Sequence, residues 1–142
     1  MAQLTRAETL TGTKKKIEFF SDFLDSFGKS PVGDQLGKVI NENSVNQSLK
    51  NIIMTNNGER PFQPYIGSDI MSMLFEPNVS ENYDLLETMI KNAIEVSEPR
   101  VNLVQVLFPE NSNENTMEIT LIYNLINNPE PITLPIILKR VR

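Results

Sequence analysis

The stretch that decides the fold is "IEVSEPRVNLVQV", residues 94–106, where a helical pattern gives way to a strand pattern. Before Glu98 the apolar residues recur every three or four positions, and after Arg100 they alternate. Pro99 disfavours helical geometry at the residue before it, so we expect a helix to end just before Glu98. Because proline also fixes its own φ angle, the corner is rigid. The triplet therefore holds an acid and a base at a stiff junction between two elements.

Three helices are predicted on the N-terminal side of this corner. The first runs from about residue 45 to 55, with Ser44 as its N-cap and Gln47 completing a capping box. A short second helix is expected after Ser68, which we interpret as its cap. The third and longest helix spans about 80–97. The side chains expected to face the core are Val45, Leu49, Ile52, Ile53, Ile70, Met71, Leu74, Phe75, Tyr83, Leu86, Met89, Ile90, Ala93 and Ile94.

Three strands are predicted after the corner, over residues 101–108, 116–126 and 132–139. Their short connections favour an antiparallel meander. Helices followed by strands indicate an α+β fold, with three helices packed on one face of a small three-stranded antiparallel C-terminal sheet. Pro135 cannot donate to a ladder, so we expect it at a sheet edge or a bulge. It either only discourages aggregation or leaves the rest of the edge to a partner strand.

The chain is expected to form one domain with a flexible N-terminal arm. Residues 1–16 are polar and rich in threonine and lysine, which is typical of an extended or disordered segment. Residues 17–142 have a length that suits one α+β domain. Residues 17–27 contain four phenylalanines, which we expect to lie across the domain's own core or a neighbouring subunit.

Composition excludes several function classes. With 13 lysines and arginines against 18 acidic residues, the net charge is −5, and an acidic chain is a poor generic nucleic-acid binder. Cysteine and histidine are absent, which excludes disulfides, Cys/His zinc sites and Ser-His-Asp triads. No apolar run reaches the roughly 20 residues of a membrane helix, and the N-terminus has no apolar core of a signal peptide. We expect synthesis in the cytoplasm, no metal or cofactor and no small-molecule substrate.

Because acidic residues are plentiful, a two-carboxylate glycosidase is the enzyme class to consider. The carboxylates of the helical half considered for this role are Glu59, Asp69, Glu76, Glu95 and Glu98. None has a sequence sign of a raised pKa, and the chain lacks a tryptophan that would support a sugar ring. We therefore expect no catalytic residue.

The order of motifs resembles a known family. The run "SLKNIIMTNNGERPFQPYIGSDIMSMLFEP", residues 48–77, is followed by a long amphipathic helix ending in "SEPR" and then by three strands. This order resembles the contractile-tail baseplate wedge family, which includes the small sheath-initiating wedge protein of T4-like phages and related subunits of type VI secretion systems. The resemblance covers about residues 44–140.

The resemblance implies a structural, non-enzymatic role in the inner baseplate of a phage virion. It implies that Glu98, Pro99 and Arg100 dock on the core helical bundle of the wedge, supported by a neighbouring loop. It also implies that the C-terminal sheet pairs with the first ring of the tail sheath, and it allows the tail tube as a further partner. The implied loop residues are Gly58, Glu59, Arg60, Pro61 and Phe62. The implied sheath-pairing residues are Ile132, Thr133, Leu134, Ile136, Ile137 and Leu138.

Alternatives remain at this point. The residues alone favour an intramolecular surface pair of Glu98 and Arg100, worth about 0–1 kcal/mol, whereas the resemblance favours docking. The same family also serves bacterial type VI secretion systems and tailocins. A muramidase is the alternative from a different class.

Overall fold

A computed structural model describes residues 18–30, 33–73, 80–109 and 116–139. The expected N-terminal arm, residues 1–16, lies outside these ranges, as do Leu74, Phe75 and Glu76. In chain order the elements are β1 (Ser21–Phe23), β2 (Lys38–Ile40), α1 (Glu42–Met54), α2 (Ile70–Met73), α3 (Ser80–Ser97), β3 (Val101–Leu107), β4 (Thr116–Leu125) and β5 (Asn128–Lys139).

The α+β class and the C-terminal meander are confirmed. The order of the large sheet is β3-β4-β5, and both pairings are antiparallel. β5 begins at Asn128, earlier than predicted, because a two-residue turn closes the hairpin and Leu125 faces Asn128. From there to the pair Tyr123–Ile132 the ladder is irregular, with three β5 residues opposite one β4 residue.

A second sheet, formed by β1 and β2, was not predicted. These strands have three residues each and pair antiparallel, with Ser21 opposite Ile40. Three residues are too few for a period-two pattern to be visible in the sequence. Of the four phenylalanines, Phe20 packs against the core, whereas Phe19, Phe23 and Phe27 are exposed.

The start of α1 differs from the prediction. The helix begins at Glu42 with Asn41 as its N-cap, and Ser44 is buried within the first turn. Asn41 has a φ angle of 50°, which turns the chain directly from β2 into the helix. The capping box of Ser44 and Gln47 is therefore wrong, because the helix has already begun before Ser44 and that side chain faces the core.

Ser68 was also misassigned as a helix cap. Its hydroxyl donates a hydrogen bond to the Ile53 carbonyl oxygen over 2.9 Å, and its N–H donates to the Thr55 carbonyl oxygen over 2.8 Å. The side chain is almost wholly buried. Ser68 therefore closes the loop onto the end of α1.

The core joins helices and sheet in one cluster. The predicted apolar stripe of α1 is buried, and so are Leu86, Ile90, Ala93 and Ile94 of α3. The sheet contributes Val106 from β3, alternate residues of β4, and two from β5. These β4 and β5 residues are Ile119, Leu121, Tyr123, Leu125, Ile136 and Leu138.

Tyr123 carries the polar link between sheet and helix. Its phenolic O–H donates to the Asn46 side-chain oxygen over 2.6 Å. Burial, together with the negative charges of Glu42 and Glu98, raises the pKa of Tyr123 to about 12. The phenol therefore stays a neutral donor at neutral pH, which fixes the register of α1 over β4.

Candidate functional site

The corner at residues 98–101 is a β-turn built on the end of α3. The N–H of Glu98 still donates to the Ile94 carbonyl oxygen over 2.8 Å, so it makes the last helical hydrogen bond. The N–H of Val101 then donates to the Glu98 carbonyl oxygen over 3.2 Å. Pro99 occupies the second position of this turn, where its fixed φ is favoured. The predicted end of the helix is confirmed.

The acid and the base of the triplet form a fork within the chain. Arg100 Nε and Nη2 donate to the two carboxylate oxygens of Glu98, each over 2.6 Å. The Ser48 hydroxyl of α1 donates to the same carboxylate over 2.6 Å. The side chain of Glu98 is only 4% exposed, whereas that of Arg100 is 32% exposed. The pair is thus intramolecular, as one interpretation expected, but its acid is buried rather than on the surface.

The electrostatics of Glu98 follow from these contacts. Burial favours the neutral carboxyl, but hydrogen bonds from Arg100 and Ser48 and the guanidinium charge outweigh it. The pKa of Glu98 therefore falls below its ordinary value. The hydrogen bond to Glu98 correspondingly raises the pKa of Arg100. Glu98 is held ionised, which is opposite to what a general acid in a glycosidase needs.

Two further contacts fix Arg100 from distant parts of the chain. The guanidinium carbon lies 5.3 Å from the centroid of the Phe20 ring, a cation–π distance. The Arg100 carbonyl oxygen accepts a hydrogen bond from the Ile126 N–H over 3.2 Å, at the tip of the β4–β5 hairpin. Asn41 holds the Phe20 segment in place by accepting a hydrogen bond from the Phe19 N–H over 2.8 Å.

These supporting residues were missed by sequence reasoning. Ser48 and Phe20 lie 50 or more positions before their partners, and local spacing carries no information about such contacts. The cluster of phenylalanines was the only signal, and it did not indicate which ring would reach the corner.

The loop after α1 is closed at its base. Gly58 has a φ angle of 85°, and its N–H donates to the Pro64 carbonyl oxygen over 2.8 Å. The Glu59 carboxylate accepts from the N–H of Asn56 over 3.1 Å and from its side-chain amide over 2.8 Å. At the far end Gly67 has a φ angle of 142°, and a Cβ there would lie 2.7 Å from the Thr55 oxygen.

This closed loop presents apolar side chains to solvent. Phe62 is 98% exposed and Tyr65 is 64% exposed. Arg60 and Pro61 are exposed as well. Tyr65 shares a cleft of about 420 Å³ with Val96 on α3, two residues before Glu98. The loop therefore lies beside the C-terminal half of α3, and the corner follows the end of that helix.

The β5 residues implied in sheath pairing divide between two faces. Ile136 and Leu138 are buried, and Ile132 and Leu134 pack against the core. Thr133 and Ile137 are exposed on the other face. β5 is an edge strand, as Pro135 predicted, with β4 as its neighbour.

Comparison with known proteins agrees with this architecture. Residues 40–130 match the family model described as baseplate wedge protein gp25. The chain belongs to the gp25 family of baseplate wedge proteins. It is 33% identical over 89 residues to baseplate wedge protein gp25 of Enterobacteria phage T4, which covers 63% of this chain and 67% of that relative. The chain is thus a component of a contractile-tail baseplate, and the resemblance seen in the motifs is confirmed.

Two solved structures share the fold. A protein of Geobacter sulfurreducens described as a putative tail lysozyme superposes with a TM-score of 0.65 at 24% identity, covering 73% of this chain and 96% of that one. A chain of the anti-feeding prophage baseplate superposes with a TM-score of 0.60 at 19% identity, covering 87% of each chain.

Two other kinds of site are absent from the part of the chain that the structure describes. Across residues 18–30, 33–73, 80–109 and 116–139, no group of acidic residues is arranged to hold a metal ion. Within those same ranges, no helix is long and apolar enough to cross a membrane.

Proposed function

We propose that the chain is a non-enzymatic subunit of the inner baseplate wedge. In this role it docks on a helical bundle of neighbouring wedge proteins through Glu98, Pro99 and Arg100. The observation that carries this proposal is that the Arg100 side chain is both fixed by hydrogen bonds and partly exposed. Two of its nitrogens are held by Glu98, yet a third of the side chain stays exposed.

A fixed and partly exposed guanidinium is suited to recognition. Because Glu98, Phe20 and the Pro99 turn already restrict the side chain, little conformational entropy is lost when a partner binds. Arg100 Nη1 takes no part in the fork with Glu98, so it can donate to helix-terminal carbonyl oxygens or to a carboxylate. Glu98, being buried, acts as a positioning residue.

The loop offers the wedge a second, apolar contact. Phe62 is almost fully exposed on a loop whose base is closed by a main-chain hydrogen bond, and it offers an aromatic side chain of a kind enriched at protein interfaces. Gly58, Glu59 and Pro61 shape the loop, and Arg60 adds a positive charge at its rim. We infer that this loop and the corner form one docking face.

The docking proposal is tested with a charge-free corner. Arg100→Ala alone would leave the buried Glu98 charge without its counter-ion, held by the Ser48 hydroxyl and the main-chain N–H of residue 100, which confounds folding with docking. The double variant Glu98→Gln/Arg100→Gln removes both charges and keeps hydrogen-bonding groups. We expect it to fold, as judged by circular dichroism and thermal melting, and to be absent from purified baseplates. Incorporation at the wild-type level would overturn the docking assignment.

A matched pair of variants tests the loop. Phe62→Ser should weaken incorporation without lowering the melting temperature, because the ring is in solvent. Phe27→Ser, an equally drastic change at another exposed phenylalanine, serves as the control and should incorporate normally. Equal behaviour of the two variants would remove Phe62 from the interface.

We further infer that β5 starts the tail sheath by pairing with a strand of the first sheath ring. An exposed edge strand can take up an extended segment through main-chain hydrogen bonds. The position of β5 at the sheet edge supports this role, with Thr133 and Ile137 exposed beside that edge. Baseplates that lack this chain should fail to nucleate sheath on the tail tube in electron micrographs, and adding the purified chain should restore nucleation.

The absence of catalysis is a separate proposal. The lowered pKa of Glu98 and the side-chain hydrogen bonds of Glu59 and Asp69 with neighbouring asparagines support a structural use of these acids. Purified protein should leave peptidoglycan turbidity unchanged. Hydrolysis that disappears when one carboxylate is replaced would contradict this proposal.

A further inference from the structure

Among the described residues no strand pairs with the outer edge of β5, and a proline lies in the middle of its ladder with β4. Pairing with β4 runs without irregularity from Ile132 opposite Tyr123 to Lys139 opposite Thr116. Pro135 lies within this run, opposite Thr120.

The proline reveals which way the main-chain groups of β5 point. Along an antiparallel strand, residues alternate between directing both N–H and C=O at the neighbour and directing both away. Proline is accommodated where its missing N–H would face outward. Pro135 therefore faces the open edge, and so do the main-chain groups of Thr133 and Ile137. Leu134 and Ile136 point their N–H and C=O groups at β4.

This alternation leaves the edge short of one donor. From Thr133 to Ile137 the outward positions offer three carbonyl oxygens but only two N–H groups. Pro129 and Pro131 lie in the irregular stretch before Ile132 and add no N–H either. The edge is thus a short segment, strong in acceptors and weak in donors.

The opposite edge of the sheet is less suited to strand addition. β3 has a register shift between Leu103 and Gln105, which interrupts its line of main-chain groups. The N–H of Val101 is already used in the corner turn. β5 is therefore the longer regular edge.

We propose that this donor gap makes the β5 edge selective: it accepts one extended segment of a sheath subunit and rejects a second copy of this chain. The proposal rests on the sheath-pairing function proposed above. A partner segment with N–H groups opposite Thr133, Pro135 and Ile137 loses one hydrogen bond at the gap. A pairing of two β5 edges that includes both copies of Pro135 loses two, because each copy lacks its own N–H at that position.

The gap also constrains the partner's sequence. The partner must donate to all three outward carbonyl oxygens, so the three residues that face the edge cannot include proline. Only the carbonyl group opposite Pro135 is left to water. Selectivity thus depends on main-chain donors, while the exposed Thr133 and Ile137 side chains contact the partner on one face of the sheet.

Self-association tests the rejection of a second copy. In sedimentation experiments the wild-type chain should not dimerise through this edge. Pro135→Thr supplies the missing donor, so this variant should self-associate roughly tenfold more tightly than the wild type. Adding Thr133→Pro to that variant removes an outward donor again and should reverse the gain. If Pro135→Thr associates no more than the wild type, the proposal is overturned.

Amide hydrogen exchange, followed by NMR on the full chain, tests the alternation itself. The N–H groups of Leu134, Ile136 and Leu138 should exchange slowly, and those of Thr133 and Ile137 quickly. The reverse pattern would overturn the inference. Added full-length sheath subunit should then slow exchange at Thr133 and Ile137. If the alternation is present but sheath subunit leaves it unchanged, the sheath-pairing function fails, and with it the proposed occupant of the edge.

Discussion

At the scale of single residues, Arg100 has two roles that use different nitrogens of the same guanidinium. It neutralises a buried carboxylate, and in the proposed function it also contacts a neighbouring protein. The sequence showed both charges and the rigid turn between them. It did not show Ser48 or Phe20, because contacts across 50 or more residues depend on how α1 and the N-terminal segment pack.

The first role of Arg100 predicts a loss of stability on truncation. Arg100→Ala should lower the free energy of unfolding by about 2 kcal/mol, because two charge-assisted hydrogen bonds to a buried carboxylate are lost. Urea unfolding measures the change. The control is Lys91→Ala, which breaks the more exposed pair with Glu87 and should cost no more than about 0.5 kcal/mol. Equal costs for the two variants would contradict the buried fork.

The pKa of Glu98 predicts how stability depends on pH. Since the folded pKa lies below its ordinary value of 4.5, the ionised carboxylate stabilises the fold above that value. This stabilisation is lost as the pH falls through the folded pKa. The stability advantage of wild type over Glu98→Gln should therefore be largest at neutral pH and shrink below about pH 4.5. An advantage that grows on acidification would show that Glu98 is not held ionised.

At the scale of elements, the loop between α1 and α2 depends on one close approach. Gly67→Ala would place a methyl group 2.7 Å from the Thr55 oxygen at a φ angle of 142°, so it should cost about 3 kcal/mol. Gly58→Ala is the matched control. Its φ angle of 85° is also positive, but nothing lies near its Cβ position, so about 1 kcal/mol is expected. Urea unfolding of both variants distinguishes close contact from backbone strain alone.

The elements that could be predicted are those long enough to show several repeats of their apolar pattern. α3 and the three C-terminal strands were placed within a few residues because each shows several repeats of one apolar face. β1 and β2 were too short to show any period. The start of α1 was misplaced because a serine followed by a glutamine imitates a capping box, while the actual cap, Asn41, has an unusual positive φ angle that propensity does not predict.

The same reasoning explains what could be predicted of the site. Motif order was enough for the family and for the location of the corner. The burial of Glu98 and the exposure of Phe62 depend on tertiary packing, which the order of residues does not reveal. The sequence indicated that Pro135 lies at a sheet edge. Which β5 residues direct their main-chain groups outward could be inferred only from the register between β4 and β5.

At the scale of the whole molecule, the proposed surfaces separate into two. The corner follows the end of α3 and the loop lies beside the C-terminal half of that helix, whereas the outer edge of β5 belongs to the sheet. The β4–β5 hairpin links them, because its tip donates a hydrogen bond to the Arg100 carbonyl oxygen. A subunit with two such faces can join the wedge and the sheath while keeping a single rigid core between them.

The measurement that tests this account most directly is an electron cryomicroscopy reconstruction of the assembled tail at the junction of baseplate and sheath. The account predicts that Arg100 and Phe62 contact a helical bundle of other wedge proteins and that a sheath strand lies along Thr133–Lys139. A reconstruction in which the corner and the β5 edge both face solvent would contradict it.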